Sequence, residues 1–242
     1  MKKIVAGILF GSVLLIILNG CMKDEDGYSL NQMWVGFGII EQMNSEPPEY
    51  RISMDNGDVL TPVASTYANW YYYYGINDTL SKLKTGDRIL INYTVIGDDG
   101  NEQGNVSEYY IRVNSVQKIL FKNIIDITPE NQDSIGDDPI IVRDWWITDS
   151  LINFEIKYLG NDAIHFINLV KQPGTLTSEG QPIELELRHN SNGDSQDIPY
   201  AGYVSFKLNA LQIEGLDSVE FRVTSTDYNN EISEFEGVYS YN

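Results

Sequence analysis

Few residues in this chain could do covalent or acid–base chemistry, so each can be taken in turn. There are 242 residues, with one cysteine and two histidines. One cysteine permits no intrachain disulfide and excludes Cys-rich zinc sites. His165 sits between Ile164 and Phe166, and His189 follows Ile183, Leu185 and Leu187 at even spacing. Two histidines could serve as ligands or as a pH switch. The plainer expectation is two strand histidines held by hydrogen bonds. No serine stands in a Gly-x-Ser-x-Gly elbow, so that kind of nucleophile has no candidate. Asp133, Asp137 and Asp138, or the run Asn190 to Asp197, offer the hard oxygens that suit calcium. The second run lacks the residue order of an EF-hand and reads more plainly as a polar hairpin loop, so no metal and no cofactor are expected. Carboxylates total 35. Some pair would meet a glycosidase spacing by accident, so none is nominated and no catalytic residue is assigned.

The most unusual local feature is aromatic: Trp70, Tyr71, Tyr72, Tyr73 and Tyr74 in succession. Flat rings with a polar handle suit stacking on sugars or peptide side chains. The alternative is a strand that buries alternate rings. If the run is extended, Trp70, Tyr72 and Tyr74 lie opposite Tyr71 and Tyr73.

Charge narrows the partners. Lys and Arg total 16, which leaves a formal charge of −19. Such a surface repels phosphate backbones, so no nucleic acid is expected. At the N-terminus, Lys2 and Lys3 precede an apolar stretch from Ile4 to Leu18. As a helix it rises about 22 Å, short of the roughly 30 Å of a bilayer core. This reads as a signal peptide over residues 1–20. Leu18, Asn19, Gly20 and Cys21 then resemble a bacterial lipobox. That resemblance implies cleavage before Cys21 and acylation of its sulfur and amine, so a membrane is the expected partner through this anchor. Cleavage takes Lys2 and Lys3 and no acid, which moves the charge from −19 to −21. The acidic run Asp24-Glu25-Asp26 within a tether over 21–32 resembles the surface-export signal of Bacteroidota lipoproteins. The expected address is the outer membrane, at the cell surface, with the periplasmic face as the alternative.

The elements that must carry these residues are strands. Ile89, Ile91, Tyr93 and Val95 share one face, as do Tyr109, Ile111 and Val113. Asn56-Gly57 marks a hairpin. Strands near 34–42, 50–54, 58–63, 88–96 and 107–118, with a long gap before the fourth, predict an all-β fold opening with an OB-like five-stranded barrel over 33–122. A breaker-rich stretch, 123–138, reads as a linker or lead-in loop. Seven strands near 140–147, 151–159, 163–170, 183–190, 201–208, 218–226 and 234–240 predict an immunoglobulin-like β-sandwich over 139–242. At least one of Trp145 and Trp146 is expected to be buried in it.

The segments Gly86 to Tyr93, Ile111 to Val116, Asp133 to Ile140, His165 to Val170 and Leu187 to Asn190 together resemble the NigD-like lipoproteins of Bacteroidota. The resemblance implies an N-terminal OB domain and a C-terminal β-sandwich. It carries no catalytic residue. It adds association with a bacteriocin locus. The expected function is therefore a non-enzymatic envelope lipoprotein that binds a glycan, a peptide or an envelope protein. Bacteriocin immunity or sensing is the alternative, and an envelope glycosidase stands behind both.

Overall fold

The computed structural model describes residues 28–42, 50–65, 83–100 and 108–241. Cys21, the signal peptide and the aromatic run Trp70 to Tyr74 lie outside the described residues.

The first half is a closed barrel. Its strands are β1 (Trp34–Gln42), β2 (Tyr50–Met54), β3 (Val59–Ser65), β4 (Arg88–Asp98) and β5 (Glu108–Lys118). They run in the spatial order β1-β2-β3-β5-β4, and β4 returns to β1 with Trp34 opposite Tyr93. Closure depends on one parallel pairing, β3 with β5. The alternating residues read from the sequence fill the interior: Ile89, Ile91, Tyr93, Val95, Ile111 and Val113 are all buried. The β2–β3 hairpin turns at Asn56-Gly57, where Gly57 takes φ of 88° and Asn56 exchanges side-chain and backbone bonds with Asp58.

Barrel closure requires close backbone approach at Gly38. A Cβ there would lie 2.7 Å from Ile52 Cγ2 and 2.9 Å from the carbonyl oxygen of Ser53. The carbonyl cannot move without breaking the β1–β2 ladder. At Gly36 a Cβ would meet only the flexible terminal carbon of Met54. Gly38→Ala is expected to destabilise by about 1–3 kcal/mol, as overpacking does. Gly36→Ala should cost clearly less. Urea midpoints of the two variants check this ordering.

The second half is a sandwich of two sheets. It contains β6 (Leu120–Asn123), β7 (Ile125–Asp126), β8 (Ile141–Thr148), β9 (Leu151–Gly160), β10 (Phe166–Lys171), β11 (Ile183–Asn190), β12 (Ile198–Lys207), β13 (Ser218–Thr226) and β14 (Ile232–Ser240). One sheet has the order β14-β13-β11-β10-β7 and the other β6-β12-β9-β8. Between them Phe154, Phe206, Phe221, Leu169, Leu185 and Tyr239 are fully or nearly fully buried. The seven expected strands are present. Two more, β6 and β7, come from residues 120–126 and pair in parallel with β12 and β10. Periodicity could not reveal them, because segments of four and two residues hold too little alternation. The stretch 123–138 thus holds β7 and also the single-turn helix α1 (Gln132–Ile135).

Neither tryptophan is fully buried, contrary to expectation. Successive residues of β8 point to opposite faces. Trp145 packs against the core beside Phe235, with ring centroids 6.0 Å apart. Trp146 lies on the outer face, 5.3 Å from the ring of Phe37 in the barrel. Tyr203 completes that cluster at 5.1 Å from Phe37.

Arg88 stands beside this aromatic contact and is fully buried. Its two terminal nitrogens pair with the carboxylate of Asp55 within the barrel. Across the junction Nη2 also donates to Asn153 Oδ1 at 3.1 Å, while Nε lies 3.4 Å from Ser205 Oγ. The guanidinium also sits 5.5 Å from the Phe37 ring centroid. Barrel and sandwich therefore share a polar joint whose groups are all partnered.

Candidate functional site

The two histidines, 24 positions apart in sequence, meet at one end of the sandwich. Leu187 and His189 continue the inward-facing row of β11, so His189 lies between the sheets and is fully buried. His165 immediately precedes β10. It closes over the end of the core, with its side chain 4% exposed. His165 Nδ1 lies 2.8 Å from His189 Nε2, a hydrogen-bond distance, with the ring planes 28° apart. His165 Nε2 lies 3.0 Å from Asp194 Oδ2, and His189 Nδ1 lies 2.9 Å from the carbonyl oxygen of Pro139. Tyr158, on β9, covers both rings at centroid distances of 4.7 and 5.2 Å.

Counting donors fixes the charge of this chain. The Pro139 carbonyl only accepts, so His189 Nδ1 carries a proton. One proton must lie between the two rings. The Asp194 carboxylate also only accepts, so His165 Nε2 carries a third. Three ring protons on two imidazoles make one net positive charge, facing the negative charge of Asp194. The backbone N–H of Asn161 is the main reason the Asp194 carboxyl falls to about 2; burial opposes it, and His165 adds to the lowering. Burial pushes His189 below its ordinary value against the pull of Pro139, and the neighbouring His165 charge pushes the same way. His189 is thus the ring that stays neutral.

The two acidic stretches considered for calcium are spent on each other. Asp138 Oδ2 accepts from Ser191 N–H and Oγ, each at 2.7 Å. Burial opposes ionisation of Asp138, yet those two bonds outweigh it and hold the carboxyl below its usual range. Asp137 pairs with Arg188, and Asp197 accepts from Ser195 Oγ. Asn190 Nδ2 donates to the carbonyl of Ser134 at 2.9 Å. Among the described residues, no group of three or more His, Cys, Asp or Glu side chains could hold a metal ion.

Gly160 makes room for the cluster. A Cβ there would stand 2.8 Å from His165 Nε2 and 3.1 Å from Asp194 Oδ2. Gly160→Ala is expected to separate that pair. The check is the imidazole ¹⁵N spectrum, which contains two residues only: the Nε2–H signal of His165 should lose its protection from exchange.

Around the cluster lie exposed apolar side chains. Ile164 and Phe166 flank His165, Tyr200 stacks on Tyr158 at 5.7 Å, and Ile198 pairs with Gly160. All four are exposed. Phe166 pairs with Asn190 on the outer face of its sheet, whereas Ile198 and Tyr200 share the side of β12 that carries Val204 and Phe206. Inward-facing positions of β12 become exposed here because its neighbour β6 begins only at Val204.

A closed five-stranded barrel fixed through a buried arginine to a nine-stranded sandwich defines a two-domain β protein. Residues 123–239 match the family described as NigD-like C-terminal beta sandwich domain, so the C-terminal half is a domain of that family and the likeness to NigD-like proteins holds. Three solved structures share the fold over most of the chain. A protein from Parabacteroides distasonis described as toxin-related is 27% identical, with a TM-score of 0.67 over 86% of this chain and 94% of its own. A protein of unknown function from Bacteroides vulgatus is 26% identical, with a TM-score of 0.64 over 87% and 92%. A NigD-like immunity protein from Bacteroides caccae shares the fold at 17% identity, with a TM-score of 0.61 over 87% and 99%. No curated protein matches the chain. Among the described residues, no helix is long and apolar enough to cross a membrane.

Proposed function

We propose that this protein is a non-enzymatic envelope lipoprotein, anchored through Cys21 to the outer membrane and displayed at the cell surface, where it binds a peptide, glycan or envelope-protein ligand. The observation that carries the reading is the exposed pair Ile198 and Tyr200, which share one face of β12 beside Tyr158 on an acidic body. Contiguous exposed apolar side chains with a polar surround are the mark of an interaction surface. The neighbouring histidines do not compete as a catalytic device, because their proton chain ends on a backbone carbonyl rather than on a hydroxyl or thiol. By its composition the run Trp70 to Tyr74 is the second candidate ligand platform.

The test is a panel of host and dietary glycans and of envelope peptides presented to the purified mature protein. Binding without turnover is expected, and Ile198→Ser with Tyr200→Ser should abolish it while leaving the melting temperature within a few degrees. Turnover of any glycan would overturn the non-enzymatic reading. Replacing Tyr71 and Tyr73, then Tyr72 and Tyr74, by alanine asks the same of the aromatic run.

A second reading, bacteriocin immunity or sensing, draws support from the toxin-related Parabacteroides protein. Deleting the gene and challenging cells with the cognate bacteriocin decides it. Unchanged sensitivity removes immunity.

A further inference from the structure

We infer that the open edge of β14 takes an extended basic segment of another protein as a further strand of its sheet. The inference stands apart from the Ile198 and Tyr200 surface and does not depend on it. Strand edges invite pairing, and folds blunt them by shortness, by bulges or by closure. The barrel is closed and has no edge. Among the described residues the sandwich has four: β14 and β7 in one sheet, β6 and β8 in the other. β7 holds two residues and β6 holds four. β8 is bulged between Val142 and Asp144. β14 alone is both long and regular, with nine residues in unbroken register with β13.

The two ends of that ladder fix which backbone groups face outward. Tyr241 N–H donates to the carbonyl of Asp217, and Asp227 N–H donates to the carbonyl of Glu231. Antiparallel pairs alternate between bonded and non-bonded, so the odd-numbered residues of β14 bond to β13. The N–H and C=O groups of Ile232, Glu234, Glu236, Val238 and Ser240 therefore point away from the sheet. Their side chains stand on its outer face. There β13 and β14 carry Glu220, Glu234 and Glu236 against Arg222 alone. Arg222 is already shared by Glu236 at 2.8 Å and Glu184 at 3.0 Å. On the inner side Phe235 lies 6.0 Å from Trp145, and both rings are only partly buried. A strand added to β14 sets alternate side chains beside Glu234 and Glu236 and the others beside Phe235 and Trp145. Opposite charges across a strand pair stabilise it, and like charges weaken it. The fitting segment alternates basic and apolar residues. A second β14, antiparallel about its centre, would set Glu236 against Glu236, which disfavours another copy as the occupant.

The probe is a nine-residue peptide, the length of β14, that alternates lysine with valine. It is titrated into the purified mature protein, and backbone amide exchange is followed by NMR. Exchange at Glu234, Glu236 and Val238 is expected to slow several-fold at saturation, while Phe235, Gly237 and Tyr239, already bonded to β13, do not change. Methylating the peptide's backbone nitrogens should abolish binding, and glutamate in place of lysine should weaken it several-fold. Val238→Pro removes one outward donor and leaves the β13 ladder whole, as prolines at strand edges do, so it should lose the peptide. Glu234→Gln with Glu236→Gln keeps every N–H and should weaken binding several-fold, which reads the charge even where the proline disturbs folding. Absence of binding, or equal binding of the methylated or the glutamate peptide, overturns the inference. Slow exchange at the same three amides in protein alone, with a mass that rises with concentration, shows a second copy as the occupant and also overturns it. Ile198→Ser with Tyr200→Ser should leave the lysine peptide bound. Loss of binding in that variant moves the peptide to the other surface and overturns the β14 edge, whereas a failed ligand panel at that surface leaves the edge standing.

Discussion

Arg88→Ala is expected to destabilise the folded body by about 3–5 kcal/mol, the largest effect of any single substitution considered. The magnitude follows from removing one partner of a buried ion pair. Asp55 would keep its charge with nothing to face it, and the aromatic contact of Phe37, Trp146 and Tyr203 would border a cavity. Asp55→Ala should cost a similar amount for the complementary reason, since the guanidinium is fully buried and Asp55 is its carboxylate. Removing both charges, as Arg88→Met with Asp55→Ala, should cost less than Arg88→Ala alone. Buried pairs replaced by apolar groups of similar volume are often close to neutral. Asn153 and Ser205 would not be orphaned, because Ser205 Oγ donates to Asn153 Oδ1 at 2.6 Å. The double-mutant cycle, closed with Arg88→Met alone and Asp55→Ala alone, isolates the coupling. Urea unfolding followed by tryptophan fluorescence is the measurement, since Trp146 reports on the joint. A loss below about 1 kcal/mol for Arg88→Ala would class the pair with exposed salt bridges and remove the joint as a source of stability.

That joint shows where sequence reading ends. The barrel was legible because Ile89, Ile91, Tyr93 and Val95 alternate on a strand with one wet face. Arg88 begins the same strand on the outward side, and an outward arginine at a strand start reads as solvated. It is buried only because another domain covers it, and that domain's strands lie more than 60 positions away. His189 was closer to legible. Its even spacing after Ile183, Leu185 and Leu187 puts it on the apolar face, where an imidazole needs partners. Which partners could not be read, because His165 and Asp194 come from two loops whose approach depends on Gly160. The strands β6 and β7 were lost for a different reason: they hold only four and two residues, and both are fixed by tertiary pairing rather than by local pattern. The tryptophans erred in the opposite direction. Their size argued for burial, but adjacent residues on a strand must face opposite ways.

Acidification from pH 6.5 to 5 should lower the stability of the wild-type protein, and His189→Phe should flatten that dependence. In the folded state burial holds His189 below its ordinary 6.5. Below 6.5 the unfolded chain therefore binds a proton that the folded chain refuses, so stability falls as pH falls. Its contribution is fully present above 6.5 and is lost below it. The geometric cause is visible: a proton added to His189 Nε2 would face the N–H of His165 across 2.8 Å. Asp194 acts in a lower window. Its folded value near 2 lies below the ordinary 3.8, so its contribution is present above 3.8 and disappears as pH falls toward 2. His189→Phe keeps a ring under Tyr158 but leaves the Pro139 carbonyl and His165 Nδ1 without partners, at about 2–4 kcal/mol near neutral pH. Its urea midpoint should start lower and change less between pH 6.5 and 5 than that of the wild type. With only two histidines in the chain, the ¹⁵N spectrum at pH 7 should show three protonated ring nitrogens for the pair. Two protonated nitrogens would dissolve the shared charge, and pH profiles of wild type and variant that run parallel would remove His189 as the source of the acid limb.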